Sequence, residues 1–409
     1  MVEIDGARLL ERLQTLRGFG AVGTGVVRPT YSDIDMAARR WLVEQMEGAG
    51  LSAAIDGVGN VFGRSPNPGP TLVLGSHSDT QPEGGWLDGA MGVIYGIEVA
   101  QALREDPATS QLAVDVAAWA DEEGTYNSCL GSRSFVGEFG EAQLASRNGA
   151  GESVREALDR VGIAGRPTAA VEPDRHVGYI EAHIEQGPHL EASGRRIGVV
   201  SSIVGIRAME ITFAGEQNHA GSTPMARRRD AGAALFDYGV RLRARFTELA
   251  GPTSVWTIGN VRFDPGAESI IPGAAWCVLQ FRDPDPAILD AFQAAAVGLA
   301  DELSAEGPVA VSAGLAREAM APVAMDGNLR SHLRAAAADR AGDQWVDMPS
   351  AAVHDGTVLA PHLPCAMVFI PSINGVSHDF AEDSHHDDIV LGCAVLADAV
   401  ARALGSASP

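Results

Sequence analysis

The sequence predicts an α/β protein with a smaller α+β unit inserted into it. Three observations carry that expectation. Short apolar runs alternate with helical stripes over the first and last thirds of the chain. Polar residues gather where those runs end. The middle third instead follows the order β-α-β-β-α-β, which is the ferredoxin-like unit. The chain has 409 residues, enough for two domains, since one core rarely grows beyond about 250–300 residues.

The elements can be justified in order. Ser32-Asp33-Ile34-Asp35 resembles a capping box, and Ile34, Ala38, Trp41 and Leu42 follow a helical stripe that Gly48 and Gly50 end. Residues 72–74 read as a buried strand, and a helix over 89–103 follows Asp88. Residues 112–119 form another strand that runs into Asp121-Glu122-Glu123, and 178–184 form a third that carries His183. In the middle, Met209, Ile211 and Phe213 alternate with Glu210 and Thr212, as in a half-buried strand. A helix over 230–249, strands over 254–263 and 274–282, a helix over 286–303 and a strand over 309–313 complete that unit. Residues 366–370 read as a strand and 388–404 as a closing helix. Residues 1–204 and 318–409 therefore build one domain, and residues 205–317 form a lid. Residues 147–166 are the one linker-like stretch, expected to be helix and loop.

Composition excludes several classes. Thirty basic residues stand against 53 acidic ones, a net charge of −23. Nucleic acid and anionic membrane both require a basic footprint, so neither is expected as a partner. The chain contains no lysine, which removes Schiff-base and P-loop chemistry. Cys129, Cys277, Cys365 and Cys393 show no metal spacing, and a core of this size needs no disulfides; reduced thiols and a cytoplasmic protein are expected. Residues 1–16 read as an amphipathic helix, not a signal peptide. No apolar stretch is expected to reach the roughly 18 residues of a membrane span. Gly18-Phe19-Gly20-Ala21-Val22-Gly23 fits GxGxxG but follows a helical pattern, so no dinucleotide site is expected. Ser384 to Asp388 reads as a solvated loop and helix cap, and Arg227-Arg228-Arg229 is too short for a nucleic-acid patch.

Five short stretches carry the chemistry: Gly75-Ser76-His77-Ser78-Asp79-Thr80, Trp86-Leu87-Asp88-Gly89, Asp121-Glu122-Glu123-Gly124, His183-Ile184-Glu185-Gln186-Gly187 and Gly375-Val376-Ser377-His378. Three histidines and two carboxylates sit where strands hand over to loops, with one more acidic group free beside them. Two divalent ions need five or six donors, one of them a shared carboxylate. Asp88 can bridge two ions. Glu122 and Glu123 are adjacent, so their side chains diverge; one can bind metal while the other serves as base, and the spacing leaves open which does which. Asp79, two residues beyond His77, is expected to orient its ring from the same side of an extended chain.

At this point the chain resembles the amidase/hydantoinase/carbamoylase branch of the dinuclear zinc hydrolases. That branch includes N-carbamoyl-L-amino acid hydrolases, β-ureidopropionases and allantoate amidohydrolases. The resemblance rests on the stretches above, on Ser128-Cys129-Leu130-Gly131-Ser132-Arg133, on His183 through Pro188, and on His219-Ala220-Gly221-Ser222-Thr223-Pro224-Met225 with Arg228-Arg229-Asp230. It implies a dinuclear-metal aminopeptidase-like catalytic domain and a lid that also serves dimerisation. It implies two divalent ions per subunit, zinc or else manganese, cobalt or nickel. His77, Asp88, Glu123, His183 and His378 would hold them. It further implies Glu122 as general base, His219 as oxyanion stabiliser in its own or a neighbouring subunit, Gln186, Ser269 and Arg282 as substrate contacts, and a homodimer. The implied activity is cleavage of the C–N bond of an N-carbamoyl or N-acyl amino acid-like small molecule.

The chain also departs from that pattern. Ser269-Ile270-Ile271-Pro272 stands where the family usually has Asn-Val-Ile-Pro, while Arg282 is kept. Trp86-Leu87 replaces the usual basic-aromatic pair, Gln81 and Glu83 differ, and Ser350-Ala351-Ala352-Val353 precedes His354-Asp355 with altered glycines. A specialised amidase for a non-carbamoyl amide is therefore the alternative reading. A silent binding protein on the same fold is a third, at odds with the complete ligand set.

Overall fold

The computed structural model describes residues 1–406. The chain divides into two compact units, Met1–Ser201 with Ala324–Pro409, and Ser202–Val323.

The first unit is built on a mixed sheet, nine-stranded among the described residues. Its centre is four parallel strands in the order Cys365–Ile370, His176–Ile184, Thr71–His77, Ala113–Trp119. Antiparallel strands flank them. Val61–Arg64 and Ser52–Ile55 lie on one side, and Ile197–Ile203 with Trp345–Ser350 on the other. Every residue of Thr71–His77 and Ala113–Trp119 is buried, as expected of parallel strands covered on both faces. Helix Ala90–Glu105 packs on this centre, and Leu72, Leu74, Val93, Ile97, Val114, Val116 and Val368 share one core.

Helix Asp33–Gly48 starts where expected: Ser32 Oγ accepts from Asp35 N–H at 3.1 Å. Ala38, Leu42 and Met46 face the core, but Ile34 is exposed. It lies in the first turn and outside the arc that the later residues bury. The linker-like stretch contains helix Val154–Arg160, closed by reciprocal bonds between Ser153 and Glu156.

Two sequence expectations need correction. Helix His386–Ser406 is long and apolar enough to cross a membrane by length and composition, although none was expected. It is a core helix instead: Ile389, Cys393, Leu396 and Val400 are buried along its i, i+4, i+7 stripe. The segment before it is not a solvated loop throughout. Ser384 is buried and donates to the Pro371 carbonyl at 2.7 Å, and Asp388 is buried in the helix's first turn.

The second unit carries a four-stranded antiparallel sheet in the order Val255–Asp264, Ala274–Asp283, Gly205–Ala214, Ala310–Leu315, which is the ferredoxin-like arrangement. Along Ala274–Asp283 the inward residues Ala275, Cys277, Leu279 and Phe281 are buried and alternate with part-exposed ones. They pack against helices Ala231–Leu249 and Pro286–Glu306, where Phe246 and Phe292 stack with ring centroids 4.1 Å apart.

Candidate metal centre

The carboxyl ends of the four parallel strands all supply polar residues to one place, which is where open α/β sheets bind their ligands. His77 is the last residue of Thr71–His77, and His183 is the penultimate residue of His176–Ile184. Glu122 and Glu123 follow Ala113–Trp119, and His378 lies beyond Cys365–Ile370. Asp88 precedes helix Ala90–Glu105. Asp121, Gln186 and His378 all have positive φ, at 58°, 56° and 54°. Non-glycine residues rarely adopt that conformation, and it concentrates at functional sites. At Asp121 it is held by the carboxylate, which accepts from the N–H groups of Tyr126 at 3.0 Å and Asn127 at 2.7 Å.

The two oxygens of Asp88 face different partners. Oδ1 lies 3.0 Å from His183 Nε2 and 3.6 Å from His77 Nε2. Oδ2 lies 3.3 Å from His378 Nε2, which is 4.0 Å from Glu123 Oε2. Two groups able to hold a cation result, His77–Asp88–His183 and Asp88–Glu123–His378, with the ligand atoms of each within 4.8 Å of one another. The first group is buried; in the second, the His378 side chain is 51% exposed. Glu122 stands on the side of the first group, its Oε2 3.6 Å from His77 Nε2. Gln186 donates to Asp88 Oδ2 and to Ser377 Oγ, each at 3.2 Å.

The donor set fits divalent cations. Imidazoles and carboxylates without thiolate suit zinc and its first-row neighbours. Glu123 Oε1 and Asp79 Oδ1 are buried with no hydrogen-bond partner among the described residues. The carboxylates crowd one another. Burial first, and then the charge of Asp88, push Glu123 up to about 7. Burial raises Glu122 well above the carboxylate range; the charges of Glu123, Asp355 and Asp88 add to this, and His77 opposes it. Burial alone would lower His77, but Glu122, Asp88 and Asp79 reverse the sign and hold it well above the usual imidazole value. A pocket that draws in protons this strongly lacks positive charge, which bound cations supply.

Asp79 does not act as expected. His77 Nδ1 bonds to the Asp79 backbone carbonyl at 3.0 Å, and the nearest carboxylate oxygen is 3.8 Å away. The strand ends at His77, so the rule that residues two apart face the same way stops there. The Asp79 carboxylate instead accepts from Glu123 N–H at 3.3 Å. Two neighbours that the sequence marks without giving them a role also stand here. Gln81 donates to Glu123 Oε2 at 2.6 Å. The buried His354 ring lies 4.5 Å from that of His183 and bonds Ser350 Oγ at 2.9 Å. Their departure from, or place within, the family pattern marked both positions, but nothing in the local sequence shows which atoms they contact.

Within the second unit, His219 and Ser269 lie on adjoining segments. His219 pairs with Ile270, and Ala220 N–H donates to the Ser269 carbonyl at 2.9 Å. The N–H groups of Gly221 and Ser222 both donate to His219 Nδ1, at 3.0 and 3.1 Å. With Nδ1 accepting, the neutral ring carries its proton on Nε2. Arg282 is half-buried, and its guanidinium donates to Gln280 Oε1 at 3.1 and 3.0 Å.

Comparison with known proteins agrees with this architecture. The model of peptidase family M20/M25/M40 matches residues 73–402, and the chain belongs to that family. An N-carbamoyl-L-amino acid amidohydrolase of Geobacillus stearothermophilus is 36% identical, over 96% of this chain and 97% of the relative. An allantoate amidohydrolase of Escherichia coli K12 is 32% identical, over 95% of each. The crystal structure of an amidase of the hydantoinase/carbamoylase family from Burkholderia phymatum superposes with a TM-score of 0.95 at 51% identity, covering 99% of both chains.

Proposed function

We propose that this protein is a metal-dependent amidohydrolase that cleaves the C–N bond of an N-carbamoyl or N-acyl amino acid-like small molecule. The observation that carries the reading is the division of the Asp88 carboxylate between two donor groups. The names of the relatives supply the substrate class: N-carbamoyl-L-amino acids and allantoate are both ureido compounds. Two divalent cations are assigned to the site, zinc first, with manganese, cobalt or nickel as substitutes. His77, Asp88 and His183 would hold one, and Asp88, Glu123 and His378 the other. When bound, they would acidify water and polarise the scissile carbonyl.

The chain's own groups do the rest. Glu122 takes up a proton at its carboxylate and returns it to the leaving nitrogen. Its position supports this role: Oε2 lies 3.6 Å from His77 Nε2, beside the first donor group, and Glu122 belongs to neither group. His219, of this or a neighbouring subunit and with its proton on Nε2, would donate to the oxygen that gains charge. Arg282 offers a two-pronged clamp for a substrate carboxylate, with Gln186 and Ser269 as further contacts. Chelation should abolish turnover, and restored cation should restore it. Glu122→Gln should keep the cations and lose about 10²–10⁴-fold in kcat. Full activity of either preparation rejects the reading.

Ser269 favours a second reading, a specialised amidase for a non-carbamoyl amide, because a serine reaches less far than an amide side chain and carries no N–H donors. A panel of ureido and acyl amino acids assayed side by side separates the two. We assign the protein to the cytoplasm, as four reduced, buried thiols suggest.

A homodimer through the second unit belongs to the same reading. Strand Val255–Asp264 is an edge strand that pairs on one side among the described residues. Val255, Val261 and Phe263 on it are exposed, as are Phe236 and Val240 on helix Ala231–Leu249. An edge of this length with an apolar patch beside it suits pairing with a second copy.

A further inference from the structure

Glu382 has no part in the scheme above, yet it is buried and fully engaged. It lies four residues beyond His378, on a segment that composition alone marks as a polar surface loop. Its Oε1 accepts from the backbone N–H groups of Asp88 at 3.0 Å and Leu87 at 3.3 Å. Its Oε2 accepts from Ser377 Oγ at 2.7 Å. The same Ser377 oxygen receives Gln186 Nε2 at 3.2 Å. One carboxylate thus spans two loops that are nearly three hundred residues apart in sequence. The loop it approaches is shaped to admit it. A Cβ at position 85 would stand 1.8 Å from Glu382 Oε1 and 2.6 Å from its Cβ, so any larger residue there would displace Glu382. Next to it, Trp86 Nε1 donates to Asp383 Oδ1 at 3.2 Å, a second tie between the same loops.

We infer that Glu382 is a positioning residue that sets the distance between the Asp88 carboxylate and the His378 ring, and so builds the second cation site. The inference rests on the two-cation reading given above. The first group, His77–Asp88–His183, is anchored on two strand ends and a helix start, and the tie reaches it only through the Asp88 backbone. The second is different. His378 is half exposed, has a positive φ, and lies outside any strand or helix. Its neighbour Ser377 is bound to Glu382, and Glu382 to the backbone of Asp88. Such outer partners of metal ligands commonly govern affinity.

The test is cobalt(II) titration of the chelator-stripped, full-length protein, followed by visible absorption and by bound metal per chain. Wild type should show two binding steps. In Glu382→Ala the first step should be unchanged and the second weakened by roughly 10–100-fold. Ser377→Ala, which cuts only the His378 side of the tie, should weaken the second step by less. Glu382→Gln should recover most of it, since its carbonyl accepts from the Asp88 loop and its amide can donate to Ser377 Oγ. If Glu382→Ala does not fold, Ser377→Ala carries the test. Variants that titrate like wild type, or that weaken both steps equally, overturn the inference, as does a Glu382→Gln no better than Glu382→Ala. Fewer than two steps in wild type overturns the two-cation reading and this inference with it.

Discussion

A methyl group at position 89 would stand 2.4 Å from three atoms of the His77 ring, and the backbone there has φ +63°. Gly89 N–H also points at His183 Nε2, at 3.2 Å. A glycine at this helix start therefore lets two imidazoles close over one carboxylate. Gly89→Ala should tilt His77 away, empty the buried cation group and lower stability by about 1–3 kcal/mol. Metal content and thermal melting of the purified variant check this; unchanged metal content would refute it. At this scale the sequence shows residue type and neighbourhood but not atom. The convergence of His77, Asp88, Glu123, His183 and His378 was legible because each ends or follows a strand, or opens a helix. The use of the Asp79 carbonyl in place of its carboxylate was not, because it depends on where the strand stops.

Elements were most legible where periodicity was strong. The alternation at Met209, Ile211 and Phe213 and the two long amphipathic helices identified the ferredoxin-like unit. Strands Ile197–Ile203 and Trp345–Ser350 went unread, because short mixed runs without clean alternation look like loops. Helix His386–Ser406 shows the opposite difficulty: a core helix and a membrane span share one composition, and only packing tells them apart. The exposed helix residue Phe236, its ring 5.9 Å from that of Phe263 on the edge strand, supports a prediction at this level. Phe236→Glu should convert a dimer to monomer with little loss of folding stability, since the side chain is 65% exposed. Sedimentation velocity decides it, and an unchanged mass would remove this face from the interface.

For the molecule as a whole, the crowded carboxyl groups link cation binding to pH. Burial, with neighbouring carboxylates second, raises Asp121, Glu123 and Glu382 to about 7 each. A raised folded-state pKa means the folded chain holds its proton more tightly than the unfolded one. That contribution is complete below the ordinary carboxylate range and is lost as pH rises through about 7. His378, raised to about 9 chiefly by its bond to Asp88, acts in the same sense over a higher window. Asp88 is lowered, despite burial, by its bonds to His183, His378 and His77; it acts in the opposite sense, but only below the usual carboxylate range. The chelated protein should therefore melt at a lower temperature at pH 8 than at pH 5.5, and added cation should raise the melting point more at pH 8. Equal rises at both values would count against the assigned cluster.

The four sulfhydryls supply a built-in reporter. All are shielded from solvent, Cys129, Cys365 and Cys393 in the first unit and Cys277 alone in the second. An alkylating reagent must wait for the fold to breathe before it reacts. Because the tally is three against one, mass spectrometry of partly alkylated chains under gentle denaturation reveals which half loosens first.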